Sequence, residues 1–167
     1  VRILKIRIKK INTIYETKLL RNKLLIQEKD NKILSQKQLK VVTKKKPTKK
    51  ELDDMIFAFK VSRYVKSNSI VLVNNSKTLA IGAGQMSRID STNIAINKAK
   101  KENISLRGSV MASEAFFPFR DNVDIAKKIG VSAIIQPGGS INDATIIDVA
   151  NKHKLSMCFT QIRVFKH

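Results

Sequence analysis

From Val123 to the end, the chain alternates between two hydrophobic periods, and few architectures accept that pattern. VDIAKKI (123–129) has apolar residues at helical spacing and stops at Gly130, a residue suited to the left-handed position that ends helices. VSAIIQ (131–136) is an apolar run of strand length, PGG (137–139) a turn, and a second helix follows from Ser140, its N-cap, to about His153. SMCFTQIRVF (156–165) closes the series as a strand. Helix, strand, helix and strand joined by short links predict α/β layering, with helices covering a sheet.

The upstream sequence adds to that sheet. Thr48 and Glu51 form a capping box that opens a helix running from about Lys49 to Lys66, with Leu52, Met55, Ile56 and Phe59 at helical spacing. IVLV, NNSK and TLAIGAG read as a hairpin over residues 70–84, and a helix beginning near Ser91 places Ile94, Ala95 and Ala99 on one side. Residues 1–12 alternate apolar and basic side chains in strand fashion, and Leu24–Gln27 reads as another strand. The expectation is an α/β fold with a mixed sheet flanked by helices. Residues 1–48 form a basic segment with strands, and 49–167 form the main lobe.

The formal net charge of +20 suggests a phosphate-rich partner, but the charge is unevenly placed. Residues 1–50 hold 17 Lys and Arg against 3 acids, whereas the remaining 117 hold 16 against 10. A basic stripe can bind nucleic acid by counterion release, and compositional drift toward Lys, Ile and Asn explains the same excess. Tyr15 is the lone aromatic among the first fifty residues, so no stacking platform for single strands is visible, and a nucleic-acid partner is not expected. No apolar run reaches membrane-spanning length, no secretory leader is recognisable, and a single cysteine, Cys158, fits a reducing cytoplasm.

Three stretches carry candidate chemistry. In SEAFFPFRDNVD (113–124), Phe116, Phe117 and Phe119 surround Pro118 and run into Arg120 and Asp121, which suits a pocket for a flat polar heterocycle. IGAGQMSR (81–88) spaces Gly82 and Gly84 as GxG, but Ser87 stands where a dinucleotide fingerprint has its third glycine. That leaves either close backbone packing or a glycine floor under a ligand, with Arg88 directed at an anion. QPGGSIND (136–143) is either an ordinary connection or an anion-receiving helix start. Arg163, Phe165 and His167 would share one face of the final strand, a charge and a ring suited to a phosphorylated aromatic ligand. No Cys/His cluster has metal spacing.

Taken in order, KSNSIVLV, IGAGQMSRIDS, SEAFFPFRDNVDIAKKIGV, IIQPGGSI and RVFKH closely resemble the C-terminal part of the bifunctional phosphoribosylaminoimidazolecarboxamide (AICAR) formyltransferase/IMP cyclohydrolase of purine biosynthesis. The likeness is strong from Lys40 to His167 and looser before it. It implies the cytidine-deaminase-like lobe of that family, without metal, in a cytoplasmic homodimer. It also implies formyl transfer from the co-substrate 10-formyltetrahydrofolate to the AICAR ribotide; the full-length parent also cyclises the product to IMP. Carried over residue by residue, Arg88, Phe116, Arg163 and Phe165 would hold the ribotide, and Pro118, Asn122 and Ser140 would line the folate side. Asn68 and Asp121 would face the reacting groups, and His167 would close the site. The family's Lys-His-x-x-Pro motif is missing: Lys152-His153 is followed by Lys154-Leu155-Ser156. The resemblance therefore predicts a C-terminal fragment with little or no activity alone. The alternative is a non-catalytic basic nucleic-acid-binding or assembly module.

Overall fold

The computed structural model describes residues 15–28 and 34–165 and divides the chain into two compact units, Val1–Ile33 and Leu34–His167. The strand expected over residues 1–12 and the closing residue His167 lie outside the described residues. The first unit contains an antiparallel hairpin of β1 (Tyr15–Leu20) and β2 (Lys23–Glu28), which includes the strand read at Leu24–Gln27.

The second unit starts at Leu34, ahead of the boundary expected at 49, because residues 34–48 are stitched into it. Leu34 is buried in its core, Lys40–Val41 (β3) pairs with the last strand, and Thr43 Oγ1 accepts a hydrogen bond from the Met157 backbone N–H. The capping box then opens α1 (Lys49–Ser62). Thr48 Oγ1 accepts from the Glu51 N–H at 3.2 Å, and the Thr48 N–H donates to Glu51 Oε2 at 2.7 Å. The helix stops at Ser62 rather than Lys66.

The expected hairpin is β4 (Ile70–Asn74) and β5 (Lys77–Gly82); the Asp54 carboxylate accepts from the Asn75 and Ser76 N–H groups at its turn. Next comes α2 (Arg88–Lys101), which starts one turn earlier than Ser91 because Ser87 caps it. Ile96, with Ala95 and Ala99, takes the buried position expected of Ile94. The chain continues through β6 (Val110–Ser113), α3 (Asp121–Lys128), β7 (Ala133–Gln136), α4 (Asp143–Lys152) and β8 (Ser156–Phe159). The sheet order is β3-β8-β7-β6-β4-β5, with β6, β7 and β8 parallel and the other pairs antiparallel. The mixed α/β sheet is as read from the sequence.

Strand residues alternate between two cores. Ile70, Leu72, Met111, Ile134 and Met157 face α2, α3 and α4, while Val71, Val73, Val110, Ala112, Ile135 and Cys158 face α1. Burial on both faces explains why the central strands are continuous apolar runs. Two expectations for the last third fail. The N-cap of α4 is Asn142, with Ser140 in the preceding loop, because Asp143 folds back to accept from the Gly139 and Ser140 N–H groups. The final strand ends at Phe159, since Thr160 Oγ1 and the Ile162 backbone bond each other and turn the chain away. Arg163 and Phe165 therefore do not alternate along a strand. Among the described residues, no helix is long and apolar enough to cross a membrane.

Candidate functional site

In open α/β sheets, ligands gather beyond the carboxyl ends of the parallel strands, where the chain leaves the sheet and backbone groups are unpaired. Here β6 exits into Glu114–Phe119, β7 into Pro137–Ser140 and β8 into Thr160–Phe165. Antiparallel β4 begins at the same edge, just after Asn68 and Ser69, because Ile70 pairs with Ser113. Residues far apart in the sequence therefore meet on one rim.

The inner part of that rim is a buried polar network. The Glu114 carboxylate is fully buried and accepts from the Ser69 N–H and Oγ, both at 3.1 Å, and from Arg88 Nη2 at 3.2 Å. Arg88 Nη2 also donates to Asn68 Oδ1 at 2.9 Å, and Nη1 donates to the Phe116 carbonyl at 3.1 Å. The Asn68 amide in turn donates to the Gln85 and Met86 carbonyls. Arg88 Nε is buried without a hydrogen-bond partner, which leaves one guanidinium N–H uncommitted. A buried charge needs its partner, so this pair fixes the geometry around Phe116.

The outer part is a cleft of about 540 Å³ lined by Phe116, Pro118, Phe119, Gly139, Ser140, Ile141, Asn142 and Arg163. It joins four of the residues that the resemblance assigns to ligands, Phe116, Pro118, Ser140 and Arg163, together with Phe119 of the aromatic stretch. The Arg163 guanidinium carbon lies 4.9 Å from the centre of the Phe116 ring, so its aromatic partner is Phe116. Asn142 Nδ2 donates to the Pro118 carbonyl at 2.8 Å and holds the two walls together. A second cleft of about 530 Å³, lined by Lys40, Gly138, Gly139, Phe159 and Arg163 among others, adjoins the first and shares Gly139 and Arg163 with it.

Other expected residues sit elsewhere. Phe117 is fully buried, its N–H donating to Gln136 Oε1 at 2.8 Å, so it belongs to the core rather than to a ligand wall. Asn122 is 1% exposed: its Oδ1 accepts from Thr92 Oγ1 at 2.6 Å, and its Nδ2 donates to Asp121 Oδ1 at 3.0 Å. It thus orients Asp121 from behind, and neither it nor Phe165 lines the two clefts. Gly82 answers the GxG question by packing: a Cβ there would overlap the Ser91 carbonyl, so α2 rests directly on β5.

Sequence reasoning passed over Glu114, Gln136, Asn142 and Lys40. Glu114 had a readable signal, being a lone acid between the largely apolar runs 110–113 and 115–117. It also missed the contact between α3 and α4. Asp124 accepts from Arg120 Nε at 2.7 Å and from His153 Nε2 at 2.7 Å, so His153, at the C-cap of α4, ties that helix to α3. The Arg120 hydrogen bond, and then that of His153, hold the Asp124 carboxyl down at about 2. Burial among the strands pushes the Cys158 thiol up to about 11, which makes it a packing group. Among the described residues, no group of three His, Cys, Asp or Glu could hold a metal ion.

A family model for the AICARFT/IMPCHase bienzyme matches residues 1–98. The chain belongs to that family. The bifunctional purine biosynthesis protein PurH of Wigglesworthia glossinidia brevipalpis is 54% identical over 144 residues, covering 86% of this chain and 27% of the relative. PurH of Aquifex aeolicus is 52% identical over 143 residues, 86% of this chain and 28% of its own length. The chain thus spans little more than a quarter of these curated relatives. Among solved structures, the apo dCMP deaminase of cyanophage S-TIM5 superposes with a TM-score of 0.46 at 17% identity, over 67% of this chain and 98% of the deaminase.

Proposed function

We propose that this chain forms the ligand-holding face of an AICAR formyltransferase, which passes the formyl group of 10-formyltetrahydrofolate to the amine of the AICAR ribotide in the cytoplasm. The observation that carries the reading is the convergence of Phe116, Pro118, Ser140 and Arg163 on one cleft at the carboxyl edge of the sheet. Family membership supports it.

The AICAR amine is a weak nucleophile, so the protein must orient it, desolvate it and take up its proton. Arg163, exposed and positively charged, would take the ribotide phosphate by charge-assisted hydrogen bonds. Arg88 would act from beneath, holding the Phe116 carbonyl and keeping Asn68 at the reacting groups. Asp121, steadied by Asn122, would orient the formyl donor. Pro118 and Ser140 would receive the pterin, and Phe165 and His167 would close the ribotide side. Proton transfer would fall to a Lys-His-x-x-Pro segment, which is not found in this sequence, and a full-length homodimeric family member would supply it and the cyclisation to IMP.

Calorimetric titration of AICAR into the purified chain tests the binding half. Arg163→Ala should raise the AICAR Kd about tenfold or more, as expected for a lost charge-assisted contact. AICAR affinity indifferent to Arg163 would refute the assignment. Formylation is tested by exchanging the matching segment of a full-length relative for this chain. Asp121→Ala in that exchange should lower kcat or raise the folate KM and leave the AICAR KM nearly unchanged.

A further inference from the structure

The two neighbouring clefts share one cation. Arg163 lines both, and in this structure it lies over Phe116, covering the aromatic face against which a flat ligand would stack. On the other side, the Gly138–Gly139 turn brings the backbone close to the guanidinium, and Lys40 supplies a second positive charge. The carboxylate lining that cleft, Asp143, is engaged by the Gly139 and Ser140 N–H groups. An exposed cation–π contact is weaker than a charge-assisted fork on a phosphate. A phosphomonoester between Lys40 and Arg163 would therefore draw the guanidinium off the ring.

We infer that Arg163 is a displaceable cover on Phe116, so that an anion in the Lys40 cleft uncovers the aromatic wall of the other cleft and strengthens binding of a flat heterocycle there. The inference rests on the reading that Arg163 receives a phosphate, and it adds a coupling between two ligands that neither cleft has alone. Linkage makes the coupling reciprocal: the heterocycle strengthens phosphate binding by the same factor. Its size is bounded by the contact given up, about two- to fivefold in affinity for an exposed cation–π pair.

The probes are ribose 5-phosphate and pterin, titrated into the chain at constant ionic strength with Phe labelled by para-fluorophenylalanine. The Phe116 resonance is assigned through Phe116→Leu. Ribose 5-phosphate should shift the Phe116 resonance and tighten pterin about two- to fivefold. Arg163→Gln should bind pterin at the tighter value without phosphate and show no further response to it. Phosphate binding that depends on Arg163 but leaves both Phe116 and pterin affinity unchanged overturns the coupling and leaves the functional reading standing. Absence of any Arg163-dependent phosphate binding overturns both. Pterin that fails to bind wild type and Arg163→Gln alike also overturns the coupling.

Discussion

The two halves of the site are built on opposite principles. Around Glu114 and Arg88, the polar groups are buried and interlocked, so a ligand meets groups already held in place. Around Phe116 and Arg163, the side chains are half-buried or exposed and contact each other across an open cleft. Burial makes the first half costly to disturb and therefore rigid. Exposure makes the second half cheap to rearrange. The difference teaches that, on the proposed reading, the inner network would orient a ligand and the outer rim would recognise it.

Substitutions can break or sharpen that contrast. The largest effect belongs to Glu114→Ala, which strands the buried Arg88 guanidinium; it should cost about 3–5 kcal/mol in urea unfolding. A loss below about 1 kcal/mol would mean that water replaces the carboxylate and that the inner half is not rigid. Gly138→Ala comes next. Its backbone has φ +71°, and a Cβ would meet the Phe159 ring, so a loss of about 2–3 kcal/mol in the same measurement is expected. Thr92→Val leaves the buried Asn122 Oδ1 without that donor and should cost about 1 kcal/mol, with Asp121 less well held.

Asp124 tests the exposed side by pH. Its folded carboxyl is held at about 2, below its ordinary 3.8, so the folded form binds the proton less tightly than the unfolded chain. The resulting stabilisation is present above 3.8 and is lost as pH falls through about 2. Urea midpoints measured across that window should fall more steeply for wild type than for Asp124→Asn. Identical slopes would show that the link between α3 and α4 has no energetic role. The smallest stability effect is expected at Arg163→Ala, within about 0.5 kcal/mol, although the same change should weaken anion binding most. A large loss of stability there would erase the distinction between the two halves.

Much of the fold was legible because local chemistry dictates it. The Thr48/Glu51 box, the Asn75-Ser76 turn and the strand-length apolar runs of β4 and β7 reflect capping, turn preference and two-sided burial. Where short side-chain-to-backbone hydrogen bonds compete with regular structure, reading by propensity and period went astray. Asp143 took over the turn ahead of α4 and displaced Ser140 as cap, and the Thr160–Ile162 bonds cut the last strand short.

The site divides along the same line. The motifs around Arg88, Phe116, Pro118, Ser140 and Arg163 implied its chemistry through their likeness to the family, whereas spacing alone left the glycine stretches open between packing and ligand binding. Which of them meet was decided by strand order. Placing β6, β7 and β8 side by side brings Arg163 onto Phe116, sends Phe117 into the core and hides Asn122 behind Asp121. Sequence determined the elements and the chemical groups, since propensity and period act over a few residues. Only the tertiary structure assigned partners to Glu114 and Arg163, because a buried charge and a stacked cation are satisfied by residues 26 and 47 positions away, Arg88 and Phe116.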